Sequence, residues 1–415
     1  MEGLQPIYRR VAGIDVHRML HVVTAVIEHP DGRIEQTSRQ FGGFRRDCRA
    51  LASWLVELGI ELIVMESTGI YWKSLYSHLE RAGLEAWIVN AHFVKHVPGR
   101  KTDMNDSQWL AVLARFGLVR GSFVPPQDLR ELRLLSRYRR KLNAMRAAEV
   151  NRLHKVLDDG GIKLGGVVSD INGVSAREMV AGLIDGADID ALLAMARGKL
   201  TLKREDLRAA LDGDLSKRHM FVLKQLREHI NMLERQLDAL DEYILDAMAP
   251  YDWAHCLLQT IPGIDRIAGA MIIIEIGTDM TRFGCADRLA SWAALCPGNN
   301  ESAGKRKSGR TRKGNAIIRY ILCECANAAR MTKSSIATKF KSLMVRKTHK
   351  KAIVAIAHKM IRLIYVLLAR KEAYLDPQID YEAMSAVKNA PRWIKQLKLI
   401  GRWPDAATTN TAVNA

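Results

Sequence analysis

Apolar and polar positions divide the chain into an N-terminal stretch of mixed periodicity and a long remainder with helical spacing. Residues 11–16, 21–28 and 34–41 alternate like strands, 44–58 repeat like a helix, 62–65 form an apolar strand, 72–82 a helix and 86–89 a strand. Asp31-Gly32 punctuates the second and third runs as a turn. Three closely spaced strands followed by strand–helix alternation predict an α/β sheet of mixed direction. Residues 106–116 then carry an amphipathic helical pattern, and Pro125-Pro126 ends the unit.

Beyond the prolines the period is helical. Residues 129–157 form a strongly basic pattern with Leu132, Leu135, Leu142, Met145, Val150 and Leu153 among its apolar positions. Residues 217–248 repeat Val222, Leu226, Ile230, Leu233, Leu237, Leu240 and Ile244 at alternating spacings of three and four, as in a coiled coil. Small helices and glycine turns fill 160–203, and the polar tail 405–415 has the composition of a disordered segment. The expected organisation is an α/β domain over 1–125, a helical coiled-coil region over 126–250, a mostly α-helical domain over 251–385 and a tail over 386–415.

Charge sharpens this picture. The 415 residues carry a net +18. Between Ala303 and Lys371 stand nineteen lysines and arginines and one acid, Glu324, so this segment holds the whole excess and the remainder is neutral. Concentrated positive charge is the footprint of phosphate neutralisation, so nucleic acid is the expected partner. No apolar run approaches the ~20 residues needed to span a bilayer. The longest, 363–369, lies between Arg362 and Arg370 and reads as a core helix. Residues 1–10 lack the apolar region of a signal peptide, which places the protein in the cytosol, with no membrane partner. Cys48, Cys256, Cys285, Cys296, Cys323 and Cys325 show no paired spacing and read as small core residues rather than a disulfide framework or zinc site.

Three constellations carry candidate chemistry. Asp15 ends one β-run, Glu66 follows another, and Asp103 and Asp106 stand three apart where a helix begins. Strand ends and a facing helix can converge, and acids so gathered require a divalent cation, Mg²⁺ or Mn²⁺, to offset their repulsion. Two such ions can clamp the attacking and leaving oxygens of a phosphodiester. Taken singly, an aspartate at a helix start is also a cap. The second constellation is the basic loop around Ser302, with Lys305, Arg306, Lys307, Arg310, Arg312 and Lys313. Its small residues let backbone approach a phosphate, and its spacing alone suits a phosphate-holding loop better than an activated nucleophile. Arg137, Arg139, Arg140 and Lys141 on the basic helix are further nucleic-acid candidates. The third, Ile261-Pro262-Gly263-Ile264-Asp265, looks like a helix-hairpin-helix corner, able to serve either phosphate contact or helix packing.

Together these residues resemble the RuvC-like DEDD transposases of bacterial insertion sequences. Gly13-Ile14-Asp15-Val16, Met65-Glu66-Ser67-Thr68-Gly69 and Lys101-Thr102-Asp103-Met104-Asn105-Asp106 are similar to the family's three acidic motifs. The stretch from Ile261 through Phe283, Pro297 and Ser302 to Lys313-Gly314-Asn315 is similar to its C-terminal domain. The resemblance implies an RNase H-like domain whose Asp15, Glu66, Asp103 and Asp106 bind Mg²⁺, a dimerising helical middle, and Ser302 as a nucleophile forming a covalent link to DNA. It also implies guidance by an element-encoded bridge RNA pairing with donor and target DNA, and a dimer-to-tetramer assembly acting at the nucleoid. Ala303 stands where the family commonly has glycine, and the chain runs some 45 residues past the family's usual end. A RuvC-like junction nuclease and a non-catalytic nucleic-acid-binding protein are the rival readings.

Overall fold

A computed structural model describes residues 5–67, 69–91, 94, 105–298, 300–302, 304–311 and 314–403, with backbone alone for 300–302 and 305–308. Asp103, Ala303, Arg312, Lys313 and the tail 405–415 lie outside the described residues. The chain divides into two compact units, Met1–Gln127 and Asp128–Ala415.

The first unit is built on a five-stranded mixed sheet. Strands β1 (Arg10–Val16), β2 (Leu20–Glu28) and β3 (Ile34–Gly42) form an antiparallel meander, and α1 (Arg45–Glu57) follows. β4 (Leu62–Glu66), α2 (Trp72–Arg81) and β5 (Ala86–Val89) return the chain so that β4 lies parallel to β1 and β5 parallel to β4. The spatial order is β3-β2-β1-β4-β5. The mixed direction read from the strand spacing is therefore present, and Asp31 takes the turn between β2 and β3 by accepting the Arg33 amide at 3.0 Å.

Period-two alternation decides which helix covers which face. Ala12, Ile14 and Val16 of β1 join Ile63 and Met65 of β4 in a core with Leu51 and Leu55 of α1 and Leu75 and Leu79 of α2. Val11 of β1 and Leu62 and Val64 of β4 point the other way, into a core with Trp109, Leu110 and Leu113 of α3 (Asp106–Arg115). With both faces covered, β4 is an uninterrupted apolar run, as buried parallel strands are.

The second unit is mostly helical. α4 (Gln127–Asp159) leads through α5 (Val174–Ile184), α6 (Ile189–Ala194) and α7 (Arg204–Leu211) to α8 (Lys217–Asp246). Leu142 of α4 packs with Leu233 and Leu237 of α8, the positions whose three–four spacing predicted a paired helix. The small helices close over the other end through Leu153, Met179, Leu193, Leu207 and Leu226. Next come α9 (Asp252–Gln259), α10 (Arg266–Ile276), α11 (Ala286–Trp292), the hairpin β6 (Asn300–Ser302) and β7 (Lys305–Ser308), then α12 (Ala316–Ala329), α13 (Ser335–Met344), α14 (His349–Arg370) and α15 (Tyr381–Leu399).

α14 is 22 residues and, among the described residues, the one helix long and apolar enough to cross a bilayer. It is much longer than the 363–369 run suggested, because helical spacing carries apolar positions past Lys359 and Arg362. Ile353, Ile356, Met360, Ile361 and Ile364 are buried against α11, α12 and α13, so it is the core helix that the flanking arginines indicated. The cysteine reading needs correction. Cys48 and Cys325 are buried, but Cys256 and Cys285 are exposed.

Candidate active site

Strand parity puts two of the candidate acids on one face. Asp15 shares its parity with Val11 and Gly13, and Glu66 with Leu62 and Val64, so both stand on the face that α3 covers. Ile14 pairs with Met65 in the parallel ladder, which puts the next residues, Asp15 and Glu66, side by side at the ends of strands about 4.8 Å apart. Asp106 opens α3 above the same face, capped by Asn105, whose side chain accepts the Gln108 amide at 2.7 Å. Three of the four predicted acids thus lie at one end of one sheet face.

Gly13 makes this possible. A β-carbon there would sit 2.1 Å from the Ser107 carbonyl oxygen and 2.4 Å from the Ala111 amide, so α3 rests directly on the strand backbone two residues before Asp15. Beside it, buried Thr24 of β2 and Ser107 of α3 share a 2.7 Å hydroxyl–hydroxyl hydrogen bond, and Ser107 donates to Asn105 at 2.9 Å. The start of α3, and with it Asp106, is pinned to the sheet by polar contacts as well as apolar burial. Gly13→Ala should therefore cost about 3 kcal/mol, because backbone and not a flexible side chain must yield. Urea denaturation of the full chain measures this, and a midpoint equal to wild type would refute the close approach.

Asp15 is one-quarter exposed and accepts a hydrogen bond from His17 Nε2 at 3.0 Å. Among the described residues no three His, Cys, Asp or Glu side chains stand close enough together to hold a metal ion. Asp103, the remaining acid, is not among them. The donor set itself suits a hard divalent cation, being all carboxylate.

In the second unit the basic loop forms a hairpin. Ser302 ends β6 opposite Lys305 of β7, Gly304 takes the left-handed turn at φ 72°, and the ladder continues downward through the Gly298 amide, which donates to the Arg310 carbonyl at 2.8 Å, and a Pro297–Thr311 bridge. The side chains of Ser302, Lys305, Arg306 and Lys307 are outside the description; Arg310 is exposed.

The basic residues of α4 have unequal freedom. Arg139 is held by Asp241 of α8 through two hydrogen bonds, one of them 2.7 Å. Arg140 stacks on Tyr320 of α12, 5.1 Å from the ring centroid, and Arg137 lies 3.8 Å from Glu275 of α10 while remaining 44% exposed. Lys141 is exposed. At the Ile261–Asp265 corner, Asp265 caps α10 by accepting the Ala268 amide at 2.7 Å, and Gly263 backs onto Cys325 and Ala329 of α12. That corner packs helices, and its acid is already engaged.

Sequence reasoning missed two features here. Gly13 was visible as a glycine inside a strand, a sign of close backbone approach. Glu275, fully buried in the apolar run of α10, was visible as one acid among isoleucines.

Comparison with known proteins decides the family. A transposase profile of the DEDD, IS110 type matches residues 12–161, and the transposase profile of the IS116/IS110/IS902 family matches residues 255–341, together more than half of the chain. The chain is 24% identical to the transposase for insertion sequence element IS1111A of Coxiella burnetii, over 88% of this chain and 91% of that protein. It is 26% identical to the uncharacterised 44.8 kDa protein of insertion element IS116 from Streptomyces clavuligerus, over 69% and 79% of the two chains.

The chain belongs to the IS110/IS116 transposase family. The first profile spans the sheet bearing Asp15 and Glu66, α3 with Asp106, and all of α4; the second begins in α9 and runs through the Ser302 hairpin into α13. As an insertion-sequence transposase the enzyme acts on DNA. The nucleic-acid partner read from the charge of residues 303–371 is thereby accounted for.

Proposed function

We propose that this transposase excises and inserts its element by serine-linked strand exchange, with Asp15, Glu66, Asp103 and Asp106 as the metal-binding tetrad and Ser302 as the nucleophile. The observation carrying this reading is the placement of Asp15, Glu66 and the start of α3 on one sheet face, the face on which Gly13 meets that helix. The strand order β3-β2-β1-β4-β5, with one antiparallel meander and two parallel additions, supports an RNase H-like assignment for the N-terminal domain, 1–125. Beyond that domain we assign 126–250 to a dimerising helical region, 251–385 to the transposase domain carrying the serine, and 386–415 to a tail. A dimer or tetramer working at the nucleoid in the cytosol accommodates two duplexes.

Mg²⁺ or Mn²⁺ held by the four acids would supply positive charge at the reacting phosphate and acidify a coordinated oxygen. The chain's own residues do the rest. Ser302 supplies the hydroxyl, and Lys305, Arg306, Lys307, Arg310, Arg312 and Lys313 offset the phosphate charge that grows as the strand is attacked. The same cations, with Arg137, Arg140 and Lys141, hold donor and target DNA and a bridge RNA that pairs with both.

The test is direct. Purified protein should carry RNA and, with Mg²⁺, convert labelled element-junction DNA into a covalent protein adduct that a chelator prevents. Binding should weaken steeply with salt, and neutralising two of Lys305, Arg306 and Lys307 should lower the log–log salt slope by roughly 1–2. An unchanged slope would move the phosphate contacts elsewhere, toward α4.

A further inference from the structure

Bonded to Asn315, just after the Ser302 hairpin, is a charge that the proposed chemistry does not use. Glu275 is fully buried near the end of α10, a helix otherwise made of apolar and small residues over Gly269–Ile276. Its Oε2 accepts a 2.7 Å hydrogen bond from Asn315 Nδ2 and lies 3.4 Å from Arg133 Nε. Its Oε1 has no hydrogen-bond partner and faces Arg137 Nη2 at 3.8 Å. Arg133 reaches in from α4 to donate to the backbone carbonyls of Ile274 and Glu275 as well. A buried ion cluster of this kind is seldom the most stabilising way to fill a core, since apolar residues of the same volume do as well or better. What it supplies is one defined geometry.

That geometry is the root of the hairpin. Asn315 is the N-cap of α12, accepting the Ile317 and Ile318 amides at 2.9 and 3.2 Å, and its own amide donates to the Trp292 carbonyl at 3.1 Å. Gly314 before it has no room for a side chain, a β-carbon meeting the Trp292 carbonyl oxygen at 2.7 Å. Thr311, four residues before Asn315, bridges to Pro297 and accepts from Arg319 of α12 at 3.2 Å. The returning strand is thus fastened at Thr311 and Asn315, and Glu275 is the group that orients the Asn315 amide.

We propose that Glu275 is a positioning residue for strand exchange: through Asn315 on one side and Arg133 and Arg137 on the other, it sets the root of the Ser302 hairpin against the basic helix α4. The inference rests on the reading of Ser302 as nucleophile. Glu275 touches no reacting atom. It acts by holding the serine's backbone in register, and displacements of about 1 Å at a nucleophile can cost roughly 10²-fold in rate.

The experiment is a polarity swap in the full chain with its co-purified RNA. Glu275→Gln leaves Arg133 and Arg137 without a carboxylate, and Asn315→Asp sets two carboxylates against each other while keeping a good cap, since Asn and Asp cap equally well. In the double variant the introduced glutamine amide donates to the introduced aspartate, restoring one hydrogen bond and one negative charge beside the arginines. Two readouts are followed: amide hydrogen exchange over residues 296–311 and the rate of Ser302–DNA adduct formation. Each single variant should speed hairpin exchange about tenfold or more and slow the adduct by roughly 10²-fold, with DNA affinity and the exchange of α13 and α14 unchanged. The double variant should recover both to within about threefold of wild type. Asn315→Ser, which keeps a cap but lacks the donor to Glu275, should behave like the singles if Asn315→Asp fails to fold. The proposal is overturned if the double is no better than the worse single, or if the singles leave hairpin exchange unchanged. Absence of adduct in wild type would refute the serine reading instead, and the exchange data would still decide the role of Glu275.

Discussion

Asp15→Ala, Glu66→Ala, Asp103→Ala and Asp106→Ala are each expected to cut DNA strand cleavage by roughly 10³-fold or more while leaving nucleic-acid binding at or slightly above wild type. The two effects separate because the acids and the cations occupy different stretches of the chain. On the proposed roles, removing a carboxylate removes an oxygen donor to a divalent ion, whereas the +18 of residues 303–371, proposed to neutralise phosphates, is untouched. Loss of one negative charge can only favour a polyanion. Folding should survive as well. Asp15 and Glu66 sit at strand ends outside the packed cores, and the cap of α3 belongs to Asn105, not Asp106. The cap matters for interpretation, since an aspartate opening a helix is otherwise explained by capping alone. Cleavage assays on labelled DNA in Mg²⁺, with binding measured in a chelator, read the two quantities separately. Retained cleavage in any two of the four variants would remove the tetrad assignment.

Much of the first unit was legible because parity and apolar run length determine which face of a strand is covered. The apolar run 62–65 announced a strand, and its end announced where Glu66 would lie. What pattern could not supply was the partner of each face. That Asp15 and Glu66 share the face of α3, and not that of α1 and α2, depends on the ladder register Ile14–Met65 and on the contact at Gly13, both long-range in sequence. The basic helix shows the converse limit. Arg137, Arg139, Arg140 and Lys141 are equivalent in a charge count, yet Arg139 is committed to Asp241, Arg140 to Tyr320, and Arg137 is shared with a buried carboxylate 138 positions away. Arg137, Arg140 and Lys141 remain exposed, and Arg139 alone of the four is partly buried. The hairpin was legible as a basic loop with small residues. Its fastening was not, because the pairing of Pro297 with Thr311 and the hold of Glu275 on Asn315 follow from tertiary contacts rather than local spacing.

Ser302→Ala is expected to eliminate both the covalent protein–DNA adduct and recombination, with RNA binding and folding retained. In the proposed reaction the serine stores the phosphoester. As the Ser302 Oγ–P bond forms, the scissile P–O bond breaks, the hydroxyl proton is released and the leaving oxygen takes one up. The count of phosphoester bonds is unchanged, so rejoining needs no nucleotide cofactor, whereas attack by water would discard the bond. A hydroxyl on a two-stranded hairpin contributes little to stability, so the variant should melt within about 0.5 kcal/mol of wild type. Ser308 on β7 is the control, being the other serine of the same hairpin, paired with Asn300 at the far end of the ladder from the Gly304 turn. Ser308→Ala should keep the adduct. Asp15→Ala should lose it, which distinguishes a serine dependent on the carboxylate tetrad from one that reacts alone. A denaturing gel of labelled DNA with wild type and these three variants decides the matter. An adduct that persists in Ser302→Ala and vanishes in Ser308→Ala would reassign the nucleophile, and cutting without any adduct would make the enzyme a metal-dependent nuclease that uses water and only grips phosphate with its hairpin.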